Sequence, residues 1–297
     1  MLIKIPYYDK IIKVIELIDF EKTIFENSRN KTLLCAHRGL SSANIPCNTL
    51  SAFKAALMAG ADMVELDVSK SIDGKYFVFH PGMEHAHINK KKLIAVMKSD
   101  KVQKLRFVNQ DNSATDYPIN TLEEILDFLK GKCYINVDKF WTDVQGITQC
   151  IRRCGVEKQV VVKTGTDKKY IDEVLKYAPD LMFMPIVRHR DDITDSLIEK
   201  GINCIGAEVL FDNENDPVAS EQYIDEMHKK GRIVFANAIV YNKSDILSAG
   251  HSDDNSIAIS PDYGWGWLAD KGFDIIQTDW CSLVKKYLEN RKAENQK

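Results

Sequence analysis

Eight short apolar, β-branched runs alternate with segments of helical period from residue 32 onward, and no other feature restricts the fold as tightly. The runs are TLLCAH, MVELDV, CYINVD, QVVVKT, LMFMPIV, INCIGAEVL, RIVFANAIV and FDIIQTD. Between them lie amphipathic stretches such as NTLSAFKAALMAG, TLEEILDFLKGK, KKYIDEVLKYAP and ASEQYIDEMHKKG, several closed by the glycine or proline that stops a helix. Strands that are apolar almost throughout suit a parallel sheet covered on both faces. Eight strand–helix units in about 250 residues are the requirement of a (β/α)8 TIM barrel. A doubly wound open sheet is the alternative, but it usually has fewer strands, and no G-x-G-x-x-G turn follows the first run.

Two stretches break the regularity. SIDGKYFVFH follows the second run through the turn signal Asp73-Gly74, which predicts a further extended piece ending at His80. Residues 81–120 are too long for a simple loop and predict a small insertion over the barrel mouth, with KLIAVMKSDKVQKL helical and VNQDNSATDYP a polar connection. Residues 1–31 are expected to form an N-terminal helical extension packed outside the barrel, leaving 32–297 as the barrel domain. Resting that helix on a membrane surface is the lesser alternative, because its charges are mixed.

Composition narrows the partners. A formal net charge of -3, with no basic stripe interleaved with aromatics, excludes nucleic acid as an expected partner. Lys10, Lys13, Glu16 and Asp19 interrupt the apolar N-terminus, so it lacks the core of a signal peptide. No segment approaches the roughly 20 apolar residues that span a bilayer, and no stable membrane insertion is expected. Seven cysteines without C-x-x-C spacing fit thiols in a reducing compartment, so the protein is read as cytoplasmic.

In such a barrel the active site is built at the C-terminal ends of the strands. Those ends carry His37 and Arg38, then Glu65 and Asp67, then His80 on the extension, Asn136 and Asp138, Lys163, Glu208, Asn237, and finally Gln277 and Asp279. Glu65 and Asp67 are two apart on one strand and therefore share a face. Paired carboxylates in an apolar run are tolerated when a cation compensates them. Carboxylates, two imidazoles, an arginine and a lysine at one mouth suit a hard divalent cation, an anion such as phosphate, and proton transfer. Glu208, Asn237 and Trp265, the last in the aromatic stretch YGWGWL, are candidate substrate-pocket residues, although structural polar layers and core packing explain them as well.

These residues stand in AHRGLSSANIPCNTLSAFKAALMAGADMVELDVSKSIDGKYFVFHP, a stretch that strongly resembles the glycerophosphodiester phosphodiesterase family. The family's hallmarks are HRG after the first strand, PENT-x-x-AF, GAD-x-x-ELD and DG-x-x-V-x-HD; INTLEEIL and GFDIIQTD also fit, so the resemblance runs from about residue 33 to 288. It implies a barrel holding one divalent cation, Mg or Ca, with Glu65, Asp67 and the third acid Asp138 as ligands. It further implies His37 and His80 as catalytic residues and Arg38 as a phosphate ligand. The implied reaction is hydrolysis of a small glycerophosphodiester to glycerol 3-phosphate and an alcohol through a cyclic phosphate. A phospholipid or lysophospholipid headgroup phosphodiesterase, or a binding barrel without turnover, are the alternatives.

The chain departs from the pattern at four places. Cys47 replaces the Glu of PEN, and a thiol is no hard-metal ligand. Pro81 replaces the Asp after the second histidine, and Asp138 in INVDKF is one methylene shorter than the usual Glu. The family lysine stands two positions beyond that acid, whereas Lys139 stands one beyond it. Strand alternation turns Lys139 away from the mouth, so Lys163 is expected to supply the missing cation.

Overall fold

The computed structural model describes residues 19–20, 22–189 and 193–295. Its strands are β1 Leu33–Ala36, β2 Met63–Lys70, β3 Tyr76–Val78, β4 Arg106–Val108, β5 Ala114–Pro118, β6 Tyr134–Asp138, β7 Val160–Thr164, β8 Met182–Arg188, β9 Gly206–Leu210, β10 Ile233–Asn237 and β11 Ile275–Thr278. Strands β1, β2 and β6 to β11 pair in parallel, and β11 returns to β1, closing an eight-stranded barrel. This is the (β/α)8 TIM barrel that the alternating runs imply.

Alternate residues of each barrel strand part into two cores. Leu34, Ala36, Val64, Leu66, Ile135 and Val137 pack outward against the helices. Leu33, Cys35, Met63, Tyr134, Val161, Ile233, Phe235 and Ile275 form a separate cluster inside the barrel. Climbing the interior in steps of two, each strand changes from apolar to polar: Leu33, Cys35, His37; Met63, Glu65, Asp67; Tyr134, Asn136, Asp138; Ile275, Gln277, Asp279. The apolar lower layers seal the barrel, and the upper layers carry the polar and ionisable side chains.

The lower end is closed by helix Ile24–Asn30, started by a Thr23–Glu26 capping box. Ile24 joins the interior cluster with Phe20 and Phe25 against it, and Asn27 Nδ2 donates to Tyr134 Oη at 2.8 Å. Residues 1–18 of the expected extension lie outside the described residues.

The insertion after the second strand differs in detail from its sequence reading. Strand β3 pairs antiparallel with the end of β2, as the Asp73-Gly74 turn implies. KLIAVMKSDKVQKL, however, is not one helix: it breaks into a 3-10 turn Ile94–Val96 and a single α-turn Ser99–Val102, with Lys98 extended between them. Ile94, Met97 and Val102 are instead drawn onto Phe77, Phe79 and Phe107 in a small core of their own. The stretch VNQDNSATDYP is not a plain connection either, since β4 and β5 make an antiparallel hairpin there. Its exposed and half-buried side chains carry too little apolar alternation to announce a strand.

Candidate active site

The first two motifs interlock at the barrel mouth. After β1 the chain turns sharply, with Arg38 at φ 54° and Gly39 at φ 79°. A Cβ on Gly39 would sit 2.7 Å from the backbone of Ala52, so only glycine allows helix Leu50–Met58 to approach this turn. The turn aims the Arg38 backbone N–H at Glu65 Oε2, 2.9 Å away, and brings Arg38 Nε to 2.9 Å from Asp67 Oδ2. Asn48, also left-handed at φ 57°, is buried and locked in place: its N–H donates to the Arg38 carbonyl, its amide donates to Asp67 Oδ2 at 2.8 Å, and its amide oxygen accepts from the Asp67 N–H. Sequence reasoning missed Asn48, although it is the asparagine of the PENT pattern beside the substituted Cys47.

Glu65, Asp67 and Asp138 each present an oxygen within 4.8 Å of the others. Burial and the neighbouring Asp67 charge push the Glu65 carboxyl up to about 7. Asp138, half-buried, also carries a desolvation penalty, but Lys163 and Lys139 overcome it and hold the carboxyl at about 2. Among the described residues, Asp67 Oδ1 is buried with no hydrogen-bond partner, while Oδ2 accepts from Asn48 Nδ2 and lies 2.9 Å from Arg38 Nε. Clustered carboxylate oxygens, one of them orphaned, fit a hard divalent cation.

The lysines are arranged differently from the strand-alternation argument. Lys139 lies just past β6 in the left-handed region, φ 59°, where the two-residue rule no longer applies. Its side chain turns back into the mouth: Nζ is 3.0 Å from Asp138 Oδ2 and 3.9 Å from Asp67 Oδ1. Lys139 therefore does not face away. Lys163 also points inward, but deeper, where its ammonium donates to Glu208 Oε2 at 2.8 Å and Asn237 holds the other Glu208 oxygen at 2.9 Å. Among the described residues the buried Asn136 amide has no hydrogen-bond partner at either end. The floor of the mouth is thus a polar layer of Asn136, Lys163, Glu208 and Asn237.

The two histidines differ in environment. His37 donates from Nδ1 to Asp279 Oδ1 at 2.9 Å. Burial would depress this imidazole, yet the Asp279 hydrogen bond and the Glu65 charge more than offset it, and its pKa lies above the ordinary value. His80 donates from Nδ1 to the Pro81 carbonyl at 2.9 Å, leaving Nε2 as an acceptor 3.9 Å from Asp67 Oδ1. Burial lowers its pKa, and the nearby Arg38 and Lys139 charges act in the same direction against Asp67. Beneath Asp279, the buried Asp253 accepts from the Asp279 N–H at 2.8 Å, from Thr278 Oγ1 at 2.7 Å and from Trp265 Nε1 at 2.6 Å. Trp265 is buried in the outer core, so it braces the end of β11 from behind. A cavity of about 550 Å3 opens on the His37 side, lined among others by Arg38, Cys47, Gln110, Asp279 and Trp280.

A family described only as a domain of unknown function, DUF4996, matches residues 183–288. The glycerophosphodiester phosphodiesterase of Caldanaerobacter subterraneus is 28% identical over 149 residues, 50% of this chain and 54% of that protein. One from Bacillus altitudinis is 29% identical over 132 residues, 43% of this chain and 51% of that protein. The chain is a relative of the glycerophosphodiester phosphodiesterases. It spans about half the length of these curated relatives. Across the whole barrel, the crystal structure of a glycerophosphoryl diester phosphodiesterase from Parabacteroides distasonis superposes with a TM-score of 0.71 at 19% identity, covering 95% of this chain and 91% of that one. A phosphodiesterase of Oleispira antarctica in complex with the product sn-glycerol-3-phosphate gives 0.65 at 15% identity, covering 88% and 99%. These last two likenesses are of fold.

Proposed function

We propose that this protein hydrolyses glycerophosphodiesters to glycerol 3-phosphate and an alcohol. The observation that carries the reading is two imidazoles at one mouth with three clustered carboxylates and Arg38, His37 bonded to Asp279 and His80 3.9 Å from Asp67, their pKa values shifted in opposite directions. Groups whose environments drive them apart are suited to opposite acid and base roles. His80, its pKa lowered and its Nε2 the accepting nitrogen, is the base that takes the proton from a glycerol hydroxyl. His37, held protonated by Asp279, is the acid for the departing alcohol oxygen.

Arg38 and Lys139 neutralise the phosphate charge through charge-assisted hydrogen bonds. Glu65, Asp67 and Asp138 would hold one divalent cation, Mg or Ca, which supplies Lewis-acid stabilisation of the phosphoryl oxygen charge. The hydroxyl relieved of its proton by His80 attacks phosphorus, the alcohol leaves with the proton of His37, and a cyclic phosphate remains. Water then opens the ring with the roles reversed: neutral His37 takes its proton and protonated His80 returns one to the glycerol oxygen. The cavity beside His37 is large enough for a compact alcohol, and the departing group is assigned there.

The lysophospholipid reading stays in view because Val240, Tyr241, Ile246 and Trp280 are each 45% exposed or more close to the strand ends. No helix among the described residues is long and apolar enough to cross a membrane. The proposed cytoplasmic setting rests on seven free cysteines, six of them buried.

The deciding experiment is release of glycerol phosphate from a panel of glycerophosphodiesters and lysophospholipids, with and without EDTA. Turnover that EDTA abolishes and Mg or Ca restores is expected. Release from no member of the panel would return the protein to a binding role. The lysines give a second test. Lys139→Met should slow turnover about tenfold to a hundredfold, the value of about 1.5–3 kcal/mol for one charge-assisted contact. Lys163→Met breaks a buried pair and should instead cost about 3–5 kcal/mol of stability, read as a lowered denaturation midpoint. A stable Lys163→Met enzyme that is slower than Lys139→Met would reverse the assignment.

A further inference from the structure

The nitrogen on which His80 depends is already occupied. Nε2 accepts a hydrogen bond from the Tyr241 hydroxyl at 3.0 Å, and a ring nitrogen offers one in-plane lone pair. Tyr241 is remote in sequence and sits on the loop of residues 238–250 that follows β10. The loop is fixed at its base: Ile239 and Leu247 are buried against Leu210, and the Phe211 backbone exchanges hydrogen bonds with Leu247 and Ala249 at 2.9 and 2.8 Å. Its crown is not buried, with Val240, Tyr241 and Ile246 between 45% and 49% exposed. Among the described contacts, the Tyr241 hydroxyl has this one hydrogen bond, and its ring lies 6.3 Å from that of His80.

We propose that Tyr241 is a substrate-displaced cap on His80: its hydroxyl occupies the place of the substrate hydroxyl that His80 deprotonates. The proposal rests on the assignment of His80 as base. The diester exchanges one hydroxyl donor for another at Nε2, so displacement conserves the hydrogen bond there. Only the half-exposed tyrosine side chain has to swing outward, because the base of the loop is packed. The cap keeps the imidazole from solvent until a diester arrives.

Two measurements on the full chain test this. Tyr241→Phe removes the competing hydroxyl, and kcat/KM should rise about twofold to tenfold through a lower KM, the range set by one neutral hydrogen bond. A kcat at least tenfold lower at unchanged KM would overturn the cap and make the hydroxyl a proton relay. Tyr241→Ala should accelerate acylation of His80 by diethyl pyrocarbonate at least threefold, located by peptide mass spectrometry, with His37 in the same sample as the internal reference. An unchanged His80 rate overturns the cap. This arm needs no turnover: faster acylation of His80 in a protein that hydrolyses no diester would sink the proposed activity and leave the contact standing.

Discussion

His80→Ala and His37→Ala are each expected to lower kcat by about 10²- to 10⁴-fold, the usual worth of a positioned acid or base, while KM changes little. Each removal should also erase a different limb of the pH profile. The proposed mechanism needs His80 neutral and His37 protonated. Rate therefore rises as pH climbs through the lowered value of His80 and falls as it passes the raised value of His37. The wild-type profile is a bell spanning the ordinary histidine pKa. His80→Ala should keep the alkaline fall and lose the acid rise, and His37→Ala the reverse. The cause of the His37 shift can be tested separately: Asp279→Asn leaves an oxygen that can accept from Nδ1–H but removes the carboxylate charge, and should move the alkaline limb to lower pH. A bell unchanged in both alanine variants would place the proton carriers elsewhere.

Much of this architecture was legible because it repeats. Steps of two along Met63, Glu65 and Asp67, or Ile275, Gln277 and Asp279, say which residues enter the barrel and at what height. Strand ends in a barrel converge on one mouth, so chain order was enough to gather His37, Glu65, Asp67 and Asp138. Reading failed where periodicity stops. Lys139 lies one residue beyond the last ladder position of β6, and its left-handed backbone, which no neighbouring residue type announces, reverses its direction. Asn48 works through two strained turns that lock against each other, a property of the folded pair. Tyr241 and Asp253 reach the site through contacts made only when β10 and β11 are in place. The insertion misled for another reason: Ile94, Met97 and Val102 are spaced well enough for a helix, but a small aromatic core rewards a broken path.

Asp67→Asn should weaken ion binding and turnover together, because Asp67 is the charge to which the rest of the site is tied. One oxygen accepts from Asn48 Nδ2 at 2.8 Å with Arg38 Nε 2.9 Å away, and the other, without a hydrogen-bond partner, faces Lys139 Nζ and His80 Nε2 at 3.9 Å each. An amide cannot reproduce this. With its oxygen toward Asn48, its NH2 group faces the cation site; flipped, the NH2 meets the donors of Asn48 and Arg38. Either way a negative charge is lost between two cations and from the carboxylate cluster. Divalent-ion affinity should fall about 100-fold or more, and turnover by several kcal/mol of transition-state stabilisation, about 10³-fold. Glu65→Gln supplies the comparison. Glu65 is pushed up to about 7, so it binds a proton near neutrality that a divalent ion must displace. Ion binding to the wild type should therefore release a proton and tighten as pH rises from 6 to 8, and Glu65→Gln should abolish that release while binding more weakly. Calorimetry with Mg and Ca in buffers of different ionisation enthalpy measures both effects without substrate. If Asp67→Asn binds the ions as the wild type does and keeps its turnover, the carboxylate cluster holds no catalytic cation.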